Sequence, residues 1–548
     1  TEDGVRLQLD DSDNIFVSGY TYCSTDFPTP NGYLTTSQYN GGFFVVKLTP
    51  EGQMAWGTFV EGPGKGEYGY DATVLVCGSG DSFAIMPCYI TESFEYDALG
   101  GHRTISEEAD IYIAKITGSG ALAWETYLGG SSDESNGYVM LVDDSGNLIL
   151  AGETISTDFP TPNGVYTTNS GDPAENRTDV FIAKVTGAGQ LAWATYLGGA
   201  GWERVNSGVL DKSGNLFIFG DTDSSDFPTP GGFDTAFDGS TNENTTGDIF
   251  VARMTSEGEL SWASFLGDGT ARGATSIRAR ADREGDLIFF MGVSPDTGKS
   301  YPTPNGFDTQ MNNGDGYMGK ITASGQLAWA SFLGGSENDD VRCLLDPMGD
   351  LILVGITRSA DFPTPGGFDT TFGGGNDLFF AKVTNGGQLE CGSYLGGNGI
   401  HPALWPLLDK DGNIIYVTWT TSSNMPTPNG FDTTYGQDNN CYVAKVTVPT
   451  AFTYVSPANG AVAALDSPVN FEFTVNAGIG DIYLVFSNSS DFPRKPHKDA
   501  EGLVERVLRL KVPLGATSLQ LSSSKWKLVK RLAGLSGKTG SFGTVIPV

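Results

Sequence analysis

One phrase returns along the chain at a regular interval. SDFPTPGGFDTAF begins at Ser225, STDFPTPNGYLTT at Ser24, STDFPTPNGVYTT at Ser156 and SADFPTPGGFDTT at Ser359, with looser copies opening at Ser300 and Ser423. A second phrase travels with it: MAWGTF at Met54, LAWETYLGG at Leu122, LAWATYLGG at Leu191, LSWASFLGD at Leu260 and LAWASFLGG at Leu327. A fixed period of this size marks a repeat architecture, in which each unit buries its apolar faces only by stacking on its neighbours.

One copy shows what the unit is. Tyr138 to Thr154 is two apolar runs around Asp-Asp-Ser-Gly-Asn, a hairpin signal. The following DFPTPNG stretch holds two prolines within three residues, which rules out a central strand and favours a stiff loop. A third strand starts at Asp179, and a fourth runs from Gln190 to Gly198-Gly199. Four short antiparallel strands without a helix signal are a propeller blade. The third strand recurs seven times, as FFVVKL, IYIAKI, VFIAKV, IFVARM, GYMGKI, LFFAKV and CYVAKV. The reading is therefore all-β: a seven-bladed β-propeller of four-stranded blades over residues 1–447, then a small β-sandwich over 457–548. The last blade reaches about 456 if Phe452 takes the fourth-strand Trp position; otherwise it closes with three strands. Successive Trp positions lie 62 to 69 residues apart, above the roughly 40–50 of common propeller repeats. The excess sits in the proline-rich loop, expected to decorate one rim.

The D-x-x-G-N turn, the DFPTP loop, the F-x-A-K strand and the closing Y-L-G-G resemble the seven-bladed beta-propeller repeat (SBBP) of exported bacterial proteins, over about residues 5 to 447. That resemblance implies the fold and an extracellular or cell-surface location, and it implies no particular chemistry. Copy two departs from it, with YITESFEYDALGGHRTISEEAD in place of DFPTP, and copy six has Cys391 in place of Trp. After 447, SPANGA, the strand ending in FEFTV and the DIYLVF strand resemble a fibronectin type III or related Ig-like sandwich, which implies a spacer or docking module.

Charge is unevenly placed. Residues 1–447 hold 58 acidic against 21 basic residues, a net of −37; residues 448–548 hold 7 against 11, a net of +4. An acidic body repels nucleic acid and anionic membrane, and no apolar run approaches the ~20 residues of a membrane helix. TEDGVRLQLDD has no basic start or apolar core, so it is not a signal peptide, and the chain opens in mid-repeat. The six cysteines form no C-x-x-C pair; repeat alignment separates Cys77 from Cys88, and buried thiols are expected.

The basic residue of the third strand is present in every copy: Lys47, Lys115, Lys184, Arg253, Lys320, Lys382 and Lys445. Seven cations could form a ring for an anionic polymer. A repeated structural ion pair to a carboxylate such as Asp158 or Asp226 is the expectation, since every blade needs the same solution. Trp56, Trp124, Trp193, Trp262 and Trp329 are expected to pack between blades rather than to stack on sugars. Asp409, Asp411 and Asn413 resemble half of a calcium loop and lack its closing Glu. Calcium is the cofactor left open; no other is expected. His102, His401 and His497 form no metal pair, and no HExxH, phosphate-binding loop or G-x-S-x-G elbow occurs. No catalytic residue is assigned. Asn176, Asn244 and Asn488 open glycosylation sequons. The expectation is an extracellular, non-catalytic adhesion or structural protein. Its partners would be further copies of itself or other surface proteins and glycans, with a head-to-tail filament as one outcome. The rival is a secreted polysaccharide-active enzyme or carbohydrate-binding propeller, which a polar cluster around Asn206, Arg342 and His401 would favour.

Overall fold

The computed structural model describes most of residues 2–447; its longer gaps there are 91–108, 239–246, 269–276 and 294–300, with shorter ones at 24–25, 38–40, 62–65, 69–72, 135–138, 172–174, 313, 347–348, 400–403, 410–412, 431 and 437–439. Beyond 447 it describes strand segments only. The described chain contains no α-helix. Seven antiparallel sheets follow one another, and the fold is all-β and propeller-like. Sheet 4 is representative: Glu203–Leu210, Leu216–Thr222, Asp248–Met254 and Leu260–Asp268 pair in chain order. Sheets 1, 3, 5 and 6 have the same four-strand order.

Two sheets depart from four strands. In sheet 2 the first strand is split into Gly66–Tyr68 and Thr73–Val76, and both pieces pair with Ser82–Ile90, giving five. Sheet 7 has three: Leu404–Leu408, Ile414–Thr420 and Asn440–Val446. Phe452 does not supply a fourth, because its strand pairs with Asn470–Val475 in register Phe452↔Val475. Beyond it lie three small sheets, 452–456 with 470–475 and 518–520, 462–464 with 539–541, and 481–486 with 506–511 and 545–547.

The chain divides into two compact units, Thr1–Cys343 with Gly355–Pro363 and Asn385–Gly387, and Leu344–Val354 with Thr364–Thr384 and Gln388–Val548. In the first unit the apolar clusters lie between consecutive sheets. Phe16, Val45 and Trp56 of sheet 1 pack with Ala84, Tyr112 and Tyr127 of sheet 2, and Phe217, Phe219 and Trp262 of sheet 4 with Leu287, Phe289 and Tyr317 of sheet 5. A strand covered on both faces has no need of alternation. Leu148-Ile149-Leu150-Ala151 and Val180-Phe181-Ile182-Ala183 are accordingly buried at every position.

The proline-rich loop does more than decorate a rim. Its aromatic is buried and stacks on the third strand: Phe159 on Phe181 at 4.7 Å and Phe227 on Phe250 at 4.6 Å. Its second proline then pairs with the outer strand, Ala194 N–H donating to Pro162 O and Ala263 N–H to Pro230 O, each at 3.0 Å. The residue after that proline is left-handed, Asn163 at φ 54° or Gly231 at φ 66°, and Asn163 Nδ2 donates to Ala192 O at 2.9 Å. The next residue admits no side chain: a Cβ on Gly164 would stand 2.1 Å from Ala194 O, and one on Gly232 2.2 Å from Ala263 O. PTPNG and PTPGG are thus the same device, a covering over an edge strand that would otherwise be open to pairing. Copy two's substitute, 91–108, lies outside the described residues.

Candidate functional site

The repeated cation and the repeated Trp are cross-strand partners. Lys184 opposes Trp193, Arg253 opposes Trp262 and Lys320 opposes Trp329, so each pair shares one face of its sheet, and each is followed by a register shift. The cation meets the first carboxylate of the hairpin turn in its own sheet: Lys47 Nζ–Asp10 at 3.2 Å, Lys115–Asp81 at 3.3 Å, Lys184–Asp143 at 3.0 Å, Arg253–Asp211 at 3.0 Å and Lys320–Asp282 at 2.7 Å. In the second unit Lys382 meets Asp350 at 3.1 Å and Glu390 at 3.0 Å, and Lys445 meets Asp409 at 2.5 Å. The partner is therefore not Asp158 or Asp226. Those accept the backbone N–H of Ser131 at 2.7 Å and of Ala200 at 2.9 Å, because they sit at the opposite end of the sheet.

The Trp reaches forward. Trp124 Nε1 donates to Gly187 O, Trp193 to Ser256 O and Trp262 to Ala323 O, each at 3.0 Å, and each acceptor lies in the turn of the following sheet. The left-handed glycine of that turn lies against the indole; a Cβ on Gly189 would fall 2.8 Å from Trp124. Lys115 Nζ also donates to Gly187 O, at 3.1 Å. Cation, Trp and turn thus form one joint between consecutive sheets. Cys391 opposes Lys382 in the Trp position, buried, its thiol pushed up to about 11 by burial and then by Glu390.

The turn carboxylates are already occupied as acceptors. Asp409 takes the backbone N–H of Asn413 at 2.9 Å and its side-chain amide as well as Lys445; Asp411 is outside the described residues. Asp282, Glu284 and Asp286 come together in the sheet 5 turn, with the Lys320 ammonium bound to two of them. A cation there would compete with a built-in ammonium.

At the other end of the sheets a second joint is made of buried acids. Glu203 accepts Thr222 Oγ1 at 2.6 Å and the Gly199 N–H at 3.0 Å, and it hydrogen-bonds Asp179 of the preceding sheet. Two carboxyls share such a bond only when one holds a proton. Burial pushes Asp179 up to about 6 and Glu203 to about 8. Asp315 and Asp339 occupy the corresponding places in sheets 5 and 6 without a hydrogen bond between them; Asp315 is raised to about 7, mainly by burial, against the donor Asn312 and with Asp339 adding to the rise.

One cluster breaks the repeat. In the penultimate place of the second strand sheets 1, 6 and 7 carry Tyr20, Ile356 and Trp419, and sheet 5 has Gly292 in the corresponding place at its strand end, whereas sheets 3 and 4 carry Glu153 and Asp221. Arg204 lies directly opposite Asp221. Its guanidinium stands over the Trp202 ring at 5.4 Å and acts on both carboxylates. Asn206 occupies a bulge between Val205 and Ser207, from which its Nδ2 donates to Asp221 Oδ2 at 2.9 Å. Asp223 fixes Trp202 by accepting its N–H and donating to its carbonyl. All six side chains are half-buried. Glu153 is raised to about 7 by burial, with Arg204 lowering and Asp221 raising it. Only Asn206 was singled out from sequence. Two acids at positions the fold does not require were the available signal. Arg342 does not join this cluster, and His102, His401 and His497 lie outside the described residues, as do Asn244 and Asn488.

No protein-family model matches the chain, and no curated protein matches it. Among solved structures it is similar to a protein of unknown function from Dyadobacter fermentans DSM 18053, 12% identical over 66% of this chain and 92% of that one, TM-score 0.31. It is similar also to an ulvan lyase described as a new family of polysaccharide lyase, 11% identical over 83% and 94%, TM-score 0.29. A third is the NanB sialidase of Streptococcus pneumoniae, 9% identical over 76% and 86%, TM-score 0.29. Scores this low assign no activity.

Proposed function

We propose that the chain is an extracellular, non-catalytic scaffold of the SBBP type that adheres or assembles at a surface. The observation that carries this reading is the joint between sheets. The two residues most able to bind a ligand are engaged in the fold: the Trp bonds the turn of the next sheet, and the cation is taken up by the carboxylate of its own sheet's turn. The C-terminal residues 457–548 are read as a fibronectin III or Ig-like docking module. An acidic body of −37 and a basic tail of +4 attract each other between molecules, and a head-to-tail contact that does not close gives a filament. Electron microscopy of the purified chain tests this. Linear assemblies at low salt that dissociate as salt rises are expected; monodisperse monomers at every salt concentration would sink it.

A second reading, a secreted propeller that binds or cleaves polysaccharide, is favoured by the Trp202 cluster, where Glu153 near neutrality is suited to proton transfer. Release of reducing ends or unsaturated sugars from a polysaccharide panel, abolished in Glu153→Gln, would establish cleavage.

A further inference from the structure

We infer that the cluster of Trp202, Arg204, Asn206, Asp221 and Glu153 is a binding site for a neutral sugar ring. The inference rests on the second reading above and needs only its binding half. Arg204 has five N–H donors, yet among the described residues it makes a ring contact and no hydrogen bond or ion pair. Glu153, on the neighbouring sheet, likewise accepts no hydrogen bond among them. The guanidinium lies close enough to act on the Glu153 carboxylate, and the free donors of the one and free acceptors of the other are open to a partner from outside.

The charges select the partner. A metal ion would satisfy Glu153 and Asp221 but meet the fixed guanidinium. An anion would satisfy Arg204 but meet Asp221, Asp223 and the −37 of the body. A vicinal diol both donates and accepts, so one uncharged ring can bond Arg204 and Glu153 together. Its C–H face has an aromatic platform in Trp202, which Asp223 holds in place. Asn206, placed by the bulge, adds an amide at the rim. No other copy carries this set, because its penultimate second-strand residue is not acidic or its first strand lacks the Trp–Arg pair.

The test is calorimetric titration of the full chain with neutral tetrasaccharides of glucose, galactose, mannose and xylose. Oligogalacturonate and spermine serve as the anionic and cationic controls. At least one neutral series is expected to bind, with a change in tryptophan fluorescence. Trp202→Ala should weaken it by about tenfold or more, and the near-isosteric Glu153→Gln by several-fold at an unchanged melting temperature. Binding of neutral sugars that neither variant alters would overturn this assignment while leaving the second reading standing. Binding of no neutral sugar, or preferential binding of oligogalacturonate or spermine, would overturn the assignment outright.

Discussion

Lys184 shows how a residue that looks like a ligand site works for the fold. Its ammonium lies between Asp143 at 3.0 Å and Ser256 O at 3.4 Å, with 13% of the side chain exposed. Lys184→Met keeps the alkyl stem and removes the charge. Asp143 retains three donors, from Ser145 and Asn147, so the loss should be about 1–3 kcal/mol rather than the larger cost of an abandoned buried charge. Thermal denaturation reads it. An unchanged melting temperature with loss of an anionic ligand would return the cation to a binding role. The existence of a structural pair was legible from its recurrence. Its partner was not, because both ends of the sheet carry a recurring Asp and only the strand register, which sets Lys184 opposite Ile149 beside the hairpin turn, chooses between them.

At the scale of the element, the proline loop and the acid joint make separate predictions. Gly164→Ala places a methyl against the Ala194 carbonyl and should cost about 1–3 kcal/mol by overpacking. Asn163→Gly should be nearly neutral, since Gly231 and Gly366 hold the same left-handed place. Equal melting temperatures for the two variants would refute the edge-covering role. The acid joint sets a pH dependence. Glu203 is raised in the fold, so its contribution is full below its unfolded value of 4.5 and is lost as pH rises through about 8. Asp10, Asp143 and Asp211 are held low by Asn, backbone and cation donors against burial, so their contribution is present above 3.8 and lost as pH falls below it. Stability should therefore peak on the acid side of neutrality. Glu203→Gln should flatten the fall in melting temperature between 4.5 and 8, whatever its absolute value; an unaltered slope would remove the shared proton from the account.

At the scale of the molecule, the uneven charge carries the prediction. Light scattering at falling ionic strength should show association of the full chain. It should be suppressed when Lys525, Lys527, Lys530 and Arg531 of the basic tail are replaced by Gln. Association that persists in that variant, or that grows with salt, would assign it to apolar surface instead; sheet 7 offers such surface in Leu407, Trp419 and Val443, each more than half exposed.

The all-β class, the seven third strands and the hairpin turns were written in the sequence, because strand periodicity, turn chemistry and repetition are local properties that each copy restates. What only the tertiary structure decided is non-local: that the proline loop folds back over the outer strand, that the Trp bonds to the next sheet's turn, that strand 452–456 leaves sheet 7, and that Glu153 meets Arg204 and Asp221. Each joins residues from separate elements or copies, and no spacing within one copy encodes a distance between elements.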